Sequence, residues 1–330
     1  MSENVVNSMP INVASLARRS RLRRGDRIIR RIRGRRRASA ARLAHREATA
    51  ENARSSAKDG GPDDHAQRFP PRYPSWYKAD RDLARQIVKI QNEKLAEACA
   101  ANPERFVAFA TVALQHPDLA AEQLEEGVKK YGLRGAGIGG NVNGEEISDP
   151  KFHPFWAKAE QLGVLVFIHP QGTAELEGTT RLQGNGLLTN TIGNPLETTI
   201  ALSHLIFEGT LDRFPGLKIC AAHGGGYLPS YAARSDAVMT TFPKRMTSTM
   251  KKKPTEYVRQ LYYDTIVFTP EALRHLAAEA GPGQVVMGTD YPFPWTSTSV
   301  DHILRTPGLS DADRIAMLGG TAASLLGIKE

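Results

Sequence analysis

Short apolar runs alternate with amphipathic stretches from residue 105 to the end of the chain. Six such runs are visible, at residues 105–114, 134–140, 164–168, 218–222, 261–266 and 285–287. Between them, apolar residues recur about one helical turn apart, and Asp149-Pro150 is typical of a helix start. Buried strands that alternate with helices form right-handed βαβ units and a parallel sheet. Six strands are two short of a closed eight-stranded barrel, and residues 1–104 contain no further recognisable strand.

A helix is predicted over Asp80 to Ala101, ahead of the first unit. Its apolar positions recur about one turn apart and are Leu83, Ile87, Ile90, Leu95 and Ala98. Residues 171–193 are long, glycine-rich and polar, and a loop of that length after a strand is often functional.

Three of the apolar runs lead to a polar side chain at a turn. The run before His169 is Val-Leu-Val-Phe-Ile, the run before His223 is Ile-Cys-Ala-Ala, and Asp290 follows Val-Val-Met-Gly-Thr. The glycines Gly224 to Gly226 follow His223 and allow a ligand to approach the backbone. Because the carboxyl ends of parallel strands meet at one edge of a sheet, we expect these side chains to form one site.

Imidazole and carboxylate groups together suit zinc, manganese or iron. A catalytic metal needs about three protein ligands and an open position for water or substrate. A histidine can also transfer a proton at neutral pH, because its ordinary pKa is about 6.5. The residue types at the three strand ends therefore indicate metal-dependent chemistry.

The strand-end motifs resemble those of the amidohydrolase-related family. They are Phe167-Ile168-His169-Pro170, Ala222-His223-Gly224-Gly225-Gly226 and the run from Gly288 to Pro294, Gly-Thr-Asp-Tyr-Pro-Phe-Pro. The nearest branch contains 2-amino-3-carboxymuconate-6-semialdehyde decarboxylase and aromatic-acid decarboxylases, and the similarity extends over about residues 77–328. The resemblance implies a (β/α)8 TIM barrel of the metal-dependent hydrolase type, incomplete or irregular here at its N-terminal strands. It also implies one divalent metal, with zinc expected first and manganese as the alternative.

The resemblance assigns a role to each matching residue. His169 and Asp290 correspond to metal ligands, and His223 and Asp290 correspond to catalytic residues. Arg234 corresponds to an arginine that reaches the site of a neighbouring subunit and binds a substrate carboxylate, which implies a homodimer. Phe293 corresponds to an aromatic residue in the pocket wall.

One family motif is missing. The family begins with a strand that ends in His-x-His and supplies two further metal ligands, but this sequence contains no His-x-His. The nearest segment is Asp63-Asp64-His65-Ala66-Gln67, in which glutamine takes the second place and no apolar strand precedes it. The loss of these ligands would weaken metal binding and impair activity.

The function expected from these observations is decarboxylation of a small unsaturated or aromatic carboxylic acid by a metal-dependent carboxy-lyase. Two alternatives remain open. The chain could be a metal-dependent hydrolase of a lactone or amide, because family membership alone does not separate the two reactions. It could also be a catalytically dead barrel that acts as a binding protein.

The charge of the chain separates an N-terminal segment from the rest. The net charge is +8, but residues 1–75 contain 18 Lys and Arg against 7 Asp and Glu, whereas residues 76–330 contain 25 against 28. The segment 1–75 has few large apolar residues, so we expect it to be mostly disordered ahead of a barrel domain at 76–330. It could be a basic arm for nucleic acid or acidic membranes, a presequence, or the product of a shifted reading frame.

Other features of the composition are ordinary. The sequence contains no run of 18 apolar residues, so it indicates no membrane span. Its only cysteines, Cys99 and Cys220, lack the spacing of a metal-binding motif. We expect a cytoplasmic enzyme that has no membrane or nucleic-acid partner.

Overall fold

The computed structural model describes residues 75–173, 176, 180–243, 250–291, 293 and 298–328. The predicted segment 1–75, apart from its last residue, lies outside the described residues, as does His65. The predicted boundary between this segment and the barrel domain therefore stays a prediction.

Seven strands and eleven α-helices form the described part of the chain. The strands are β1 (Gly135–Ile138), β2 (Asn141–Val142), β3 (Glu145–Glu146), β4 (Leu165–Ile168), β5 (Lys218–Ala221), β6 (Tyr262–Asp264) and β7 (Val285–Val286). The helices are α1 (Arg81–Ala101), α2 (Pro117–Lys129), α3 (His153–Leu162), α4 (Asn194–Phe207), α5 (Thr210–Arg213), α6 (Leu228–Thr241), α7 (Pro254–Val258), α8 (Pro270–Ala280), α9 (Ser299–Arg305), α10 (Asp311–Ile315) and α11 (Thr321–Leu325). No helix among these is both long and apolar enough to cross a membrane.

The main sheet is parallel, and its strands follow the order of the chain. Its order is β1-β4-β5-β6-β7, and every neighbouring pair is parallel, while β2 and β3 form a separate antiparallel hairpin. Helices connect the strands of the sheet, which gives the predicted βαβ units. The sheet therefore confirms the α/β class, with the strand ends aligned at one edge.

The two faces of the sheet pack against different partners, because side chains alternate along each strand. One face contributes Ala136, Ile138, Val166, Ile168 and Ile219 to the main core, which also contains Trp156 of α3 and Leu202 of α4. The opposite face contributes a smaller apolar cluster, composed of Phe109, Leu165, Cys220 and Leu326 with Phe167, Tyr262, Val286, Leu325 and Ile328. The C-terminal segment thus covers the face of the sheet that would line a barrel.

The sheet is irregular at both edges. The predicted strand 105–114 is reduced to a single parallel bridge, between Ala110 and Ala136 of β1. At the other edge, the Met287 N–H donates a hydrogen bond of 2.8 Å to the Met317 carbonyl, so the C-terminal helical segment lies where a further strand would pair. Within the described residues, these edges agree with the prediction of a barrel that is incomplete at its N-terminal strands.

Helix α1 forms where it is predicted but buries a different face. Leu83 and Ile90 are about half exposed, whereas Ala84 and Val88 are buried. The buried face also carries Asn92, whose amide donates to the Thr111 carbonyl and accepts from the Thr111 N–H. These hydrogen bonds orient α1, so the prediction of its apolar face from Leu83 and Ile90 is wrong.

Candidate metal centre

His169, His223 and Asp290 meet at the carboxyl ends of their strands. His169 directly follows β4, and its backbone N–H donates to Ile138 at the end of β1. His223 lies just beyond β5, and Asp290 lies four residues beyond β7. The strand-end pattern in the sequence therefore predicted the meeting of these side chains.

The three side chains are close enough to share one ion. Potential ligand atoms of His169, His223 and Asp290 all lie within 4.8 Å of one another. His169 Nε2 is 4.0 Å from Asp290 Oδ1, and His223 Nε2 is 3.8 Å from Asp290 Oδ2. The two imidazole rings meet edge to face, with their centroids 5.1 Å apart. In the part of the chain that the structure describes, this is the one group of three or more such residues that could hold a metal.

The donor set fits a divalent metal. Imidazole nitrogen and carboxylate oxygen both ligate zinc and manganese. The Nδ1 atom of His169 lies 2.9 Å from the Pro170 carbonyl, which favours the tautomer that keeps Nε2 free to accept a metal. His223 Nδ1 is buried and has no hydrogen-bond partner among the described residues, so a polar group of this site still lacks its partner.

Two of the three residues have strained backbones. His223 has φ 56° and Asp290 has φ 54°, in the left-handed region of backbone conformation that residues other than glycine rarely adopt. Each such residue costs about 1–2 kcal/mol of stability. Strain of this kind is typical of sites in which the surrounding structure holds a side chain in place for function.

Burial and neighbouring charges shift the pKa values of the two histidines in opposite directions. Burial, together with the nearby His223, lowers the pKa of His169 to about 4 despite the opposing effect of Asp290. Burial also acts to lower the pKa of His223, but the carboxylates of Asp290 and Asp264 outweigh it, so that this pKa is raised. At neutral pH His169 is therefore neutral, as a metal ligand must be, whereas His223 retains a proton more readily.

Asp264 supports the turn that carries His223. This residue ends β6, and its buried Oδ1 accepts hydrogen bonds from the Gly224 N–H at 2.9 Å and the Ile266 N–H at 3.0 Å. Burial raises the pKa of Asp264, while His223 and the backbone N–H donors oppose that shift. The sequence analysis did not single out this residue, although a charge at the end of an apolar strand is the signal that marked the other sites.

A cavity of about 100 Å³ opens beside the three residues. Its wall includes His169, His223, Asp264 and Asp290 on the polar side. The apolar side includes Phe167, Val286, Met287, Leu318 and Tyr291. A flat apolar molecule would match the apolar side of this wall. An acidic group on it would need a bound metal to offset the two carboxylates of the polar side.

Neither of the two predicted substrate-binding residues lines the cavity. Arg234 is exposed on α6, the helix that follows the His223 turn. Phe293 is half-buried, and its N–H donates to the Asp290 carbonyl at 3.0 Å. Tyr291, which the sequence analysis did not select, lines the cavity. The roles of Arg234 and Phe293 stay predictions.

The sequence profile of the Amidohydrolase family matches residues 40–328 of this chain. The chain belongs to the amidohydrolase family. The match begins inside the basic segment 1–75, earlier than the similarity seen from the strand-end motifs. The profile match also covers all the strands and helices that the structure describes.

Two relatives that resemble this chain are named as decarboxylases. The 2-amino-3-carboxymuconate-6-semialdehyde decarboxylase of Dictyostelium discoideum is 32% identical over 76% of this chain and 69% of its own length. The gamma-resorcylate decarboxylase of a Rhizobium species is 30% identical over 75% of this chain and 77% of its own length. Both names agree with the family branch that the motifs resemble.

Solved structures of amidohydrolase-family enzymes share the fold. The 5-carboxyvanillate decarboxylase of Sphingomonas paucimobilis has a TM-score of 0.73 and 29% identity, and the match covers 78% of this chain and 77% of that chain. A dihydroxybenzoic acid decarboxylase of a Polaromonas species, solved with bound manganese and 2-nitroresorcinol, has a TM-score of 0.69 and 28% identity over 77% of this chain and 78% of its own. The fold class predicted from the sequence is thereby confirmed.

Proposed function

We propose that this amidohydrolase-family protein is a metal-dependent decarboxylase of a small aromatic or unsaturated carboxylic acid. The observation that carries the proposal is the meeting of His169, His223 and Asp290 within 4.8 Å beside a cavity with one apolar wall. The reactions of the related decarboxylases support the choice of reaction, and the apolar wall suits an aromatic ring. Two alternatives remain: a hydrolase of a lactone or amide, and a binding protein without catalytic activity.

His169 and Asp290 would hold the divalent metal. When bound, the metal stabilises negative charge on substrate oxygens next to the reacting carbon. Manganese is the metal named in the related structure, so we propose manganese, with zinc as the metal to compare. The short distance from Asp290 to both imidazoles also lets its carboxylate orient His223.

His223 would supply the proton that replaces the carboxylate on the substrate. Its imidazolium transfers a proton to the carbon that bears the carboxylate, and the substrate becomes a protonated intermediate. The bond to the carboxylate carbon then breaks, its electron pair returns to the ring or diene, and carbon dioxide leaves. His223 lines the cavity and its side chain is 16% exposed, which limits its contact with bulk water.

The direct test is turnover by chelator-treated protein. Without metal, the protein should not convert 2,6-dihydroxybenzoate or 2-amino-3-carboxymuconate semialdehyde, and added Mn²⁺ or Zn²⁺ should restore carbon dioxide release, measured alongside the metal content. Asp290→Asn, which removes one carboxylate oxygen from the site, serves as the inactive control. Turnover of a lactone but neither acid would support the hydrolase, and stoichiometric metal without turnover of any substrate would contradict the proposal.

We also propose a homodimer in which α6 forms part of the interface. Tyr231 and Val238 lie two turns apart on α6, and Phe242 directly follows its end. The three side chains are 65%, 42% and 49% exposed. Arg234 lies on the same face of the helix, between Tyr231 and Val238. A second copy would cover these apolar side chains and bring Arg234 toward its neighbour's cavity, where the guanidinium can bind a carboxylate with two hydrogen bonds.

Mixing variants tests this arrangement. Arg234→Ala should raise KM by roughly 10- to 100-fold, because a charged hydrogen bond to the substrate is lost. If Arg234 acts across the dimer, mixing Arg234→Ala with His223→Gln subunits should restore about one quarter of wild-type activity, since half of the dimers contain one intact site. The exposed Arg85→Ala on α1 is the control, with KM unchanged. A mixture no more active than its parents contradicts the shared site.

A further inference from the structure

Glu197 is a buried carboxylate outside the metal centre that receives four N–H donors. Its Oε1 accepts from the Gly140 N–H at 3.2 Å and the Asn141 amide at 3.1 Å. Its Oε2 accepts from the Gln171 N–H at 2.7 Å and from the Gly172 N–H. The residue is 4% exposed and lies in the first turn of α4. All the acceptor positions of the carboxylate are therefore occupied.

These four donors belong to the segments that follow two neighbouring strands. Gly140 and Asn141 come just after β1, while Gln171 and Gly172 come two and three residues after His169. The two segments are also linked where the strands end, because the His169 N–H donates to the Ile138 carbonyl at 3.0 Å. The backbone at His169 is therefore fixed by β1 through its own N–H, and by Glu197 through the N–H groups of Gln171 and Gly172.

The fit around the Glu197 carboxylate is close. A Cβ atom added to Gly140 would lie 2.8 Å from Glu197 Oε1, so the glycine makes room for the carboxylate. Burial raises the pKa of Glu197, whereas the backbone N–H groups of Gly172, Gln171 and Gly140 oppose that shift. Four N–H donors leave no acceptor for a carboxylic O–H, so the hydrogen bonds favour the charged form. Glu197 has no ionic partner among the described residues, and the cost of burying a carboxylate in this way indicates that its position matters to the molecule.

We propose that Glu197 is a positioning residue for the metal centre, whose carboxylate fixes the direction of the His169 imidazole by tying together the segments after β1 and β4. The inference rests on the proposed role of His169 as a metal ligand. Glu197 does not line the cavity and is not one of the three residues of the metal centre. It acts through Gln171 and Gly172, in the way that groups behind a ligand commonly fix its orientation and raise metal affinity.

The test compares Glu197→Gln with a matched variant at the other end of the sheet. Glutamine keeps one acceptor oxygen but turns its NH₂ group toward one pair of N–H donors, so two hydrogen bonds are lost. Glu160→Gln is the control, because the Glu160 carboxylate also accepts a backbone N–H bond, from Gly216 at 2.7 Å, but lies on α3 ahead of β4. Mn²⁺ affinity is measured by titration calorimetry and backbone protection by hydrogen exchange.

We expect Glu197→Gln to weaken Mn²⁺ binding by roughly 10- to 100-fold and to expose the Gln171 and Gly172 amides to exchange. Glu160→Gln should leave both unchanged. Equal Mn²⁺ affinity in the two variants overturns the positioning role. A wild-type protein that binds no Mn²⁺ overturns the proposed metal centre, and the exchange measurement then decides separately whether Glu197 holds the segment after His169: protection retained in Glu197→Gln overturns the inference.

Discussion

Replacing His223 by glutamine should lower kcat for decarboxylation by roughly 10²- to 10⁴-fold, the range found when a positioned proton donor is removed. Glutamine retains the approximate size of the side chain but cannot transfer a proton at neutral pH. The side chain of His223 lines the cavity, is 16% exposed and lies 3.8 Å from the Asp290 carboxylate, which is the position of a proton donor. Steady-state kinetics with added Mn²⁺ measures the effect.

The metal content of His223→Gln separates two roles for the side chain. If His223 transfers the proton, the variant should retain Mn²⁺ while kcat falls, since His169 and Asp290 remain in place. A parallel loss of Mn²⁺ and activity would instead make His223 a third ligand, which its distance of 3.8 Å from Asp290 also allows. His275→Gln on α8, an exposed histidine, should behave as the wild type. A His223→Gln variant with unchanged kcat would remove His223 from the mechanism.

The location of the site could be predicted because it depends on local sequence. An apolar run that ends in a polar residue and a turn specifies both a buried strand and the edge at which it stops. Three such runs in a parallel sheet necessarily bring their ends together, and the structure places His169, His223 and Asp290 within 4.8 Å. The apolar run 105–114 predicted a strand, but among the described residues it forms only the bridge between Ala110 and Ala136.

The residues that support the site could not be predicted, because their partners are distant in sequence. Glu197 accepts from Gly140, 57 residues away, and Asp264 accepts from Gly224, 40 residues away. A glutamate in a helix is normally solvated, so nothing in the local pattern indicates burial. The same reason explains helix α1, whose orientation depends on Asn92 and on the Thr111 backbone rather than on its apolar periodicity.

The carboxylates of Glu197 and Asp264 both accept N–H groups from the segments that follow the strands of the main sheet. Glu197 receives N–H donors from segments after β1 and β4, and Asp264 receives the Gly224 N–H from the turn after β5. Each is a buried acceptor placed just behind a histidine of the metal centre. A strained turn persists only when surrounding contacts hold its backbone in place. The hydrogen bond from Gly224 to Asp264 accounts in this way for the left-handed backbone of His223.

Replacing Gly226 by alanine should destabilise the protein by roughly 3 kcal/mol or more, from combined backbone strain and overpacking. Gly226 has φ 65° and ψ −126°, a conformation that is costly for any residue with a Cβ atom. The added Cβ atom would lie 2.1 Å from the Pro195 carbonyl oxygen and 2.6 Å from Thr199 Oγ1. These atoms belong to the first turns of α4, so the His223 turn and this helix would have to separate.

Gly132→Ala isolates the part of this cost that comes from the backbone alone. Gly132 has φ 69°, close to that of Gly226, but an added Cβ atom would meet no other atom within 4 Å. We expect this variant to lose only about 1 kcal/mol, measured for both proteins by urea unfolding. Because Gly226 lies three residues after His223, its replacement should also reduce decarboxylation in the protein that remains folded, whereas Gly132→Ala should not. Equal losses of stability in the two variants would show that the turn after β5 does not pack against α4 as closely as the structure places it.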